Sequence, residues 1–166
     1  MTTRQPHGRV ETTPDGRRLL LIRSLPHPPA TVWRHLTDAD LLGRWYGTFT
    51  GDPASGEVEL TMVEAPDHPG PVTIRRCDDR HHLLSVAVAG PGGAAWQLAV
   101  SLSPGPEDST RIEFDHDHTG MTEPTGDLGP GWEYYLERLA VALDGGDPDT
   151  VDWAEFHPAL TGHYSG

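Results

Sequence analysis

Lysine and asparagine are missing from this chain of 166 residues, and all 12 of its basic residues are arginine. Without lysine there is no side-chain amine for a Schiff base and no P-loop cation. Without asparagine there is no N-glycosylation acceptor. One cysteine, Cys77, excludes an internal disulfide and a cysteine metal cluster. Positive charge is scarce as well: 25 acids against 12 bases give a net charge of −13. That is the wrong sign for nucleic acid or for an anionic membrane surface, and neither is expected as a partner. No apolar run reaches the roughly 18 residues of a membrane span. The polar stretch Met1 to Gly16 lacks the apolar segment of a signal peptide, so a cytoplasmic location is expected. The G-x-S-x-G, G-x-G-x-x-G and H-E-x-x-H patterns are also absent, which removes the commonest hydrolase, dinucleotide and zinc-protease readings.

What is present suffices for one domain. Apolar residues make up 36% of the chain, enough for a single core. Residues 1–16, with Pro6, Gly8, Pro14 and Gly16 and no apolar period, read as a flexible lead-in. Residues 17–146 read as the domain, and 147–166 as a tail whose Trp153, Phe156, Leu160 and Tyr164 pack back on it.

Within the domain, Arg17 to Leu25 reads as a strand that Pro26, Pro28 and Pro29 end. Prolines suit a helix start, and Val32, Trp33 and Leu36 recur at helical spacing, which predicts a helix over 29–37. Asp38 can cap a second one carrying Leu41, Leu42 and Trp45, which Gly47 closes. Strand signals follow at 57–63, 71–77, 83–89, 94–102 and 110–118. Their links are rich in Gly and Pro, at 66–71, 90–93 and 103–109. In 110–118, Ile112, Phe114, His116 and His118 alternate with Arg111, Glu113, Asp115 and Asp117, the period of a half-buried strand. From Gly131 to Leu143, Trp132, Leu136, Leu139 and Leu143 line one face of a helix that Gly145 and Gly146 stop. The class is α+β, with a curved antiparallel sheet against a long C-terminal helix.

The run Leu25-Pro26-His27-Pro28-Pro29-Ala30-Thr31-Val32-Trp33-Arg34-His35-Leu36-Thr37-Asp38, continued by Arg44-Trp45-Tyr46-Gly47, resembles the opening of the SRPBCC (START-like) superfamily. Within it, the run is similar to the branch named for the activator of the heat-shock chaperone ATPase. Thr110-Arg111-Ile112, His116, Gly131-Trp132 and Tyr135-Leu136-Glu137-Arg138-Leu139 carry the likeness further, over about 17–146. The resemblance implies a helix-grip fold, in which a seven-stranded antiparallel sheet wraps the last helix around a cavity. The superfamily holds lipid carriers, hormone receptors, aromatases and cyclases, and co-chaperone domains, so fold alone does not choose an activity.

Trp45, Phe49, Met62, Trp96, Phe114, Trp132 and Leu136 fall on faces expected to point inward. They read as the wall of a pocket for a hydrophobic or amphipathic small molecule, or as ordinary core. His116 is expected at the cavity mouth, where it could orient a ligand or act as acid or base. His116 and His118 share a strand face, but no third ligand stands at metal-site spacing, so no metal is expected. No cofactor is expected either. Arg23 reads as solvent-facing, or as facing the cavity, where a buried arginine needs an acidic partner or an anionic ligand, and Arg75 and Arg76 read as one inside and one outside. Cys77 reads as a small core residue, and Glu133 and Glu137 as a solvated face. An aromatase or cyclase acting in the same cavity, and a chaperone ATPase-activating interaction domain, are the alternatives. A chaperone partner and a homodimer stay open with them.

Overall fold

The computed structural model describes residues 4–89 and 95–165. The Gly90–Gly93 link, and the first residue of the strand expected at 94–102, lie outside the described residues. In chain order the elements are β1 (Gly8–Thr13), β2 (Gly16–Leu25), α1 (Pro29–Thr37), α2 (Ala39–Leu42), β3 (Gly47–Thr50), β4 (Glu57–Met62), β5 (Gly70–Asp78), β6 (Leu83–Ala89), β7 (Ala95–Pro104), β8 (Thr110–Asp117), α3 (Thr125–Leu143) and α4 (Thr161–Tyr164). The class is α+β: one curved antiparallel sheet in the order β1-β2-β8-β7-β6-β5-β4-β3, and one long C-terminal helix. From β3 to β8 each strand pairs with the next, whereas β2 crosses to the far end of that meander and pairs with β8.

The local signals act as elementary chemistry dictates. Pro28 and Pro29 open α1, where a missing N–H leaves no bond unmade. The Asp38 carboxylate accepts from the N–H groups of Asp40 and Leu41 and so starts α2. Along β8, Ile112, Phe114 and His116 are buried, and the acids and Arg111 between them are not.

Three differences from the sequence reading have physical causes. The sheet has eight strands rather than seven, because Gly8–Thr13, read as lead-in, pairs with β2 from Gly8↔Leu21 to Thr13↔Gly16. Val10 is the only aliphatic residue in that segment, so its pattern is silent; the pairing rests on the backbone of β2 and on the Arg18–Glu11 ion pair at 2.9 Å. The short strand β3 has only Phe49 as an apolar residue and gave no periodic signal. The last helix begins at Thr125, not Gly131, and runs through Pro130. Proline and three glycines argue against helix there, but the tail overrides them. The Thr125 hydroxyl donates to the Tyr164 carbonyl at 2.6 Å, and the Tyr164 ring lies over Gly129 so closely that a methyl group there would overlap it.

Phe156, Leu160 and Tyr164 of the tail are buried, and Trp153 stays partly exposed. The backbone of α3 comes closest to α4 and the 148–150 segment of the tail, and then to β1, β2 and α1. The middle strands curl away from it, and that divergence leaves a hollow. No helix among the described residues is long and apolar enough to cross a membrane.

Candidate functional site

The hollow is a cavity of about 150 Å³ between α3 and the concave face of the sheet. Trp132, Tyr135 and Leu136 of α3 form its roof. Val58 and Leu60, Val72 and Ile74, Leu84, Val86 and Val88, Leu98 and Val100, and Ile112 and Phe114 form its floor, strand by strand from β4 to β8. Alternate residues appear because successive side chains of a strand point to opposite faces. Leu36, Leu42, Trp45 and Tyr46, from α1, α2 and the turn after them, close one side. The lining residues that remain solvent-exposed, Pro53 and Cys77, mark the rim.

Trp45 and Tyr46 have no periodic element to hold them, and buried polar bonds do it instead. The Trp45 indole N–H donates to the His35 carbonyl at 2.9 Å. Arg138 of α3, almost fully buried, donates from Nε to the Trp45 carbonyl at 2.8 Å and from its guanidinium to the Pro148 carbonyl at 3.0 Å. The carbonyl of Tyr46 accepts from the Val63 N–H at 2.9 Å. One arginine thus fastens the last helix to the turn after α2 and to the tail, a use of its several donors that lysine could not copy.

Trp45, Phe49, Phe114, Trp132 and Leu136 of the sequence-chosen set line the cavity. Met62, Trp96 and His116 do not. The reason is the Trp132 indole. It packs against Phe114 with ring centroids 4.5 Å apart and bonds to His116, and so stands between the hollow and that side chain. His116 is therefore not at a mouth. It is fully buried behind Trp132, and its Nδ1 accepts the indole N–H at 3.0 Å. Burial, and then the neighbouring His118, push its pKa down to about 4, so the ring is neutral. With Nδ1 accepting, the proton sits on Nε2, which has no partner among the described residues. Trp96 lies on the same far side, 5.1 Å from the His116 ring. Met62 ends β4 opposite Gly47, past the last lining residue of that strand, Leu60.

Other expectations need correction. Cys77 is exposed at the rim rather than in the core. Arg75 and Arg76 are both exposed, because a register shift between Ile74 and Arg76 breaks the alternation. Arg23 is neither solvent-facing nor in the cavity: it is largely buried and pairs with Glu137 at 2.9 Å. Glu133 is not on a solvated face. It is buried and accepts from the His7 N–H at 2.6 Å and from the Tyr164 hydroxyl. His118 donates from Nε2 to the Glu123 carbonyl at 2.7 Å, and no group of three or more metal-ligating side chains occurs among the described residues.

Sequence reasoning passed over Tyr46, Tyr135 and the aliphatic residues of β5 and β6. Alternation in 71–77 and 83–89 carried the aliphatic signal. Tyr46 lies outside any periodic element, so only tertiary placement could find it.

None of the curated proteins matches the chain at a significant level. Among solved structures, CalU16 from Micromonospora echinospora is similar, at 23% identity over 84% of this chain and 85% of its own, with a TM-score of 0.65. A conserved protein of unknown function from Enterococcus faecalis, EF2215, matches at 18% identity over 95% and 87% of the two chains, with a TM-score of 0.73. The protein encoded by gene BPP1335 of Bordetella parapertussis matches at 24% identity over 98% and 94%, with a TM-score of 0.70. At these identities the likeness is one of fold, the helix-grip arrangement. The family model described as Activator of Hsp90 ATPase homolog 1-like protein matches residues 26–144, from the proline turn before α1 to the end of α3, and the chain belongs to that family.

Proposed function

We propose that this protein binds a hydrophobic small molecule in the cavity between α3 and the sheet. The observation that carries this reading is a hollow of about 150 Å³ walled almost wholly by aliphatic and aromatic side chains. Interiors pack to the density of organic crystals, and an apolar void of this size forfeits dispersion contacts that a ligand restores. Engineered apolar cavities of the same volume stay dry and take up benzene. Each methylene moved from water into such a wall contributes about 0.8 kcal/mol.

The same walls speak against acid–base catalysis. His116 and Arg23, the groups an aromatase or cyclase would need inside, lie off the cavity. A role at a chaperone ATPase has the family's name behind it and nothing in the cavity.

Trp45 and Trp132 report occupancy. Titration with ethylbenzene should give a saturable change in tryptophan emission. Val100→Phe, which fills the hollow from β7, should abolish that change while the protein stays folded. A linear, unsaturable response in the wild type would overturn the reading.

A further inference from the structure

Strand β5 reaches the rim of the cavity by an irregular step. In β6, Leu84, Val86 and Val88 all line the hollow, every second residue, as a regular strand requires. Their partners across β5 are Cys77, Ile74 and Val72, and these line it too. From Val72 to Ile74 the spacing is regular; from Ile74 to Cys77 one residue is extra. That residue falls at the register shift between Ile74 and Arg76, a β-bulge. Arg76 stands opposite Ser85, and Arg75 and Arg76 are both exposed.

Unbroken alternation would give a different rim. Continuing the pairing of Ile74 with Val86 would set Arg76 opposite Leu84, with its guanidinium facing the hollow, and would turn Cys77 outward. A guanidinium there would need an acidic partner, and no carboxylate lines the cavity among the described residues. The bulge keeps that charge out of the wall and seats a small neutral side chain in its place. The charges outside do not substitute for it. The Arg76 guanidinium lies 3.5 Å from the Asp78 carboxylate, and Asp79 accepts from the Trp33 indole at 2.8 Å. Burial, and then the carboxylates of Asp79 and Asp78, raise the pKa of the Cys77 thiol, so the two acids oppose negative charge at the rim.

We infer that the β5 bulge is a specificity element of the cavity: by placing Cys77 rather than Arg76 at the rim, it restricts the site to ligands without an anionic group. Fatty acids and other carboxylate-headed molecules are the class it turns away, since their charge would meet an apolar wall and no counter-charge. This inference rests on the cavity-binding reading and adds to it the charge class of the ligand and the position that sets it.

Hydrocinnamamide and hydrocinnamate each extend ethylbenzene by one group, match in shape and differ in charge. Calorimetric titration of all three at neutral pH, into wild type, Cys77→Arg and Cys77→Ser, tests the inference. Cys77→Arg leaves the bulge in place and returns a guanidinium to the rim. Wild type should bind the amide at least about tenfold more tightly than the carboxylate. In Cys77→Arg that ratio should move about fivefold to tenfold towards the carboxylate. Cys77→Ser, small and neutral, should keep it within about twofold. Wild type that binds the carboxylate as tightly as the amide would overturn the inference and leave the cavity reading standing, whether or not either variant folds. A ratio unmoved in folded Cys77→Arg would overturn the role of position 77. Ethylbenzene binding alone would show a rim closed to any head group, and would overturn the inference too. If none of the three binds wild type, the cavity reading falls with it.

Discussion

The indole N–H of Trp132 donates to Nδ1 of His116 at 3.0 Å, and His116 does not line the cavity that Trp132 roofs. The bond ties the roof helix to β8 and holds the indole against Phe114. It also requires a neutral imidazole, because a protonated Nδ1 could not accept. The folded pKa near 4 lies below the ordinary 6.5. Between those values the unfolded chain takes up a proton that the native protein does not, so stability falls as pH drops from about 6.5 towards 4. The slope from this one group is at most about 1.4 kcal/mol per pH unit. Urea unfolding between pH 4 and 8 should show it. His116→Gln, whose amide oxygen can still accept from Trp132, should flatten the acid limb by nearly one proton. An unchanged limb would contradict the assignment.

Glu133 works in the opposite direction chemically and the same direction on the pH axis. Burial alone would raise its pKa, but hydrogen bonds from His7 and Tyr164 outweigh burial and hold it below the usual carboxylate range. A depressed carboxylate contributes stability above its unfolded pKa, and this is lost as pH falls through the folded value. Because Glu133 joins the N-terminal segment, α3 and α4, Glu133→Ala should destabilise by about 2–3 kcal/mol. It should also raise protease cleavage in residues 4–13 and 155–165 before global unfolding. Cleavage no faster than in wild type would show that the tie is dispensable.

Gly129 is a packing requirement rather than a turn. Its missing side chain is the space that the Tyr164 ring occupies. Gly129→Ala improves helix propensity and should still lower stability, by about 1–3 kcal/mol, because the methyl displaces the ring. A thermal melt at or above that of wild type would mean that the tail relaxes without penalty.

Cys77 offers a chemical view of the rim. Its thiol is exposed, but burial of part of its surroundings, and then the carboxylates of Asp79 and Asp78, raise its pKa. Thiol reagents at pH 7.5 should label it more slowly than free cysteine, with the rate rising as pH increases. Saturating ethylbenzene should slow labelling further, since Cys77 borders the cavity. Labelling indifferent to ethylbenzene would place the route of entry elsewhere.

The sequence by itself determined the α+β class, the proline-opened α1, the Asp38 cap and the alternating faces of β4 to β8. Each of these is a local decision, made by a residue's backbone preference or by a period of two or 3.6. It also carried the apolar face of α3, whose Trp132 and Leu136 roof the cavity. Tertiary structure decided what local preference opposes or does not address. The first turns of α3 form across Pro130 only because Tyr164 covers Gly129, and Gly8–Thr13 is a strand only because β2 offers it an edge. The placement of His116 behind Trp132, and of Tyr46 on the wall, follows from where the helix leaves the curling sheet. That divergence is a property of how two elements meet, and no window of the sequence contains both.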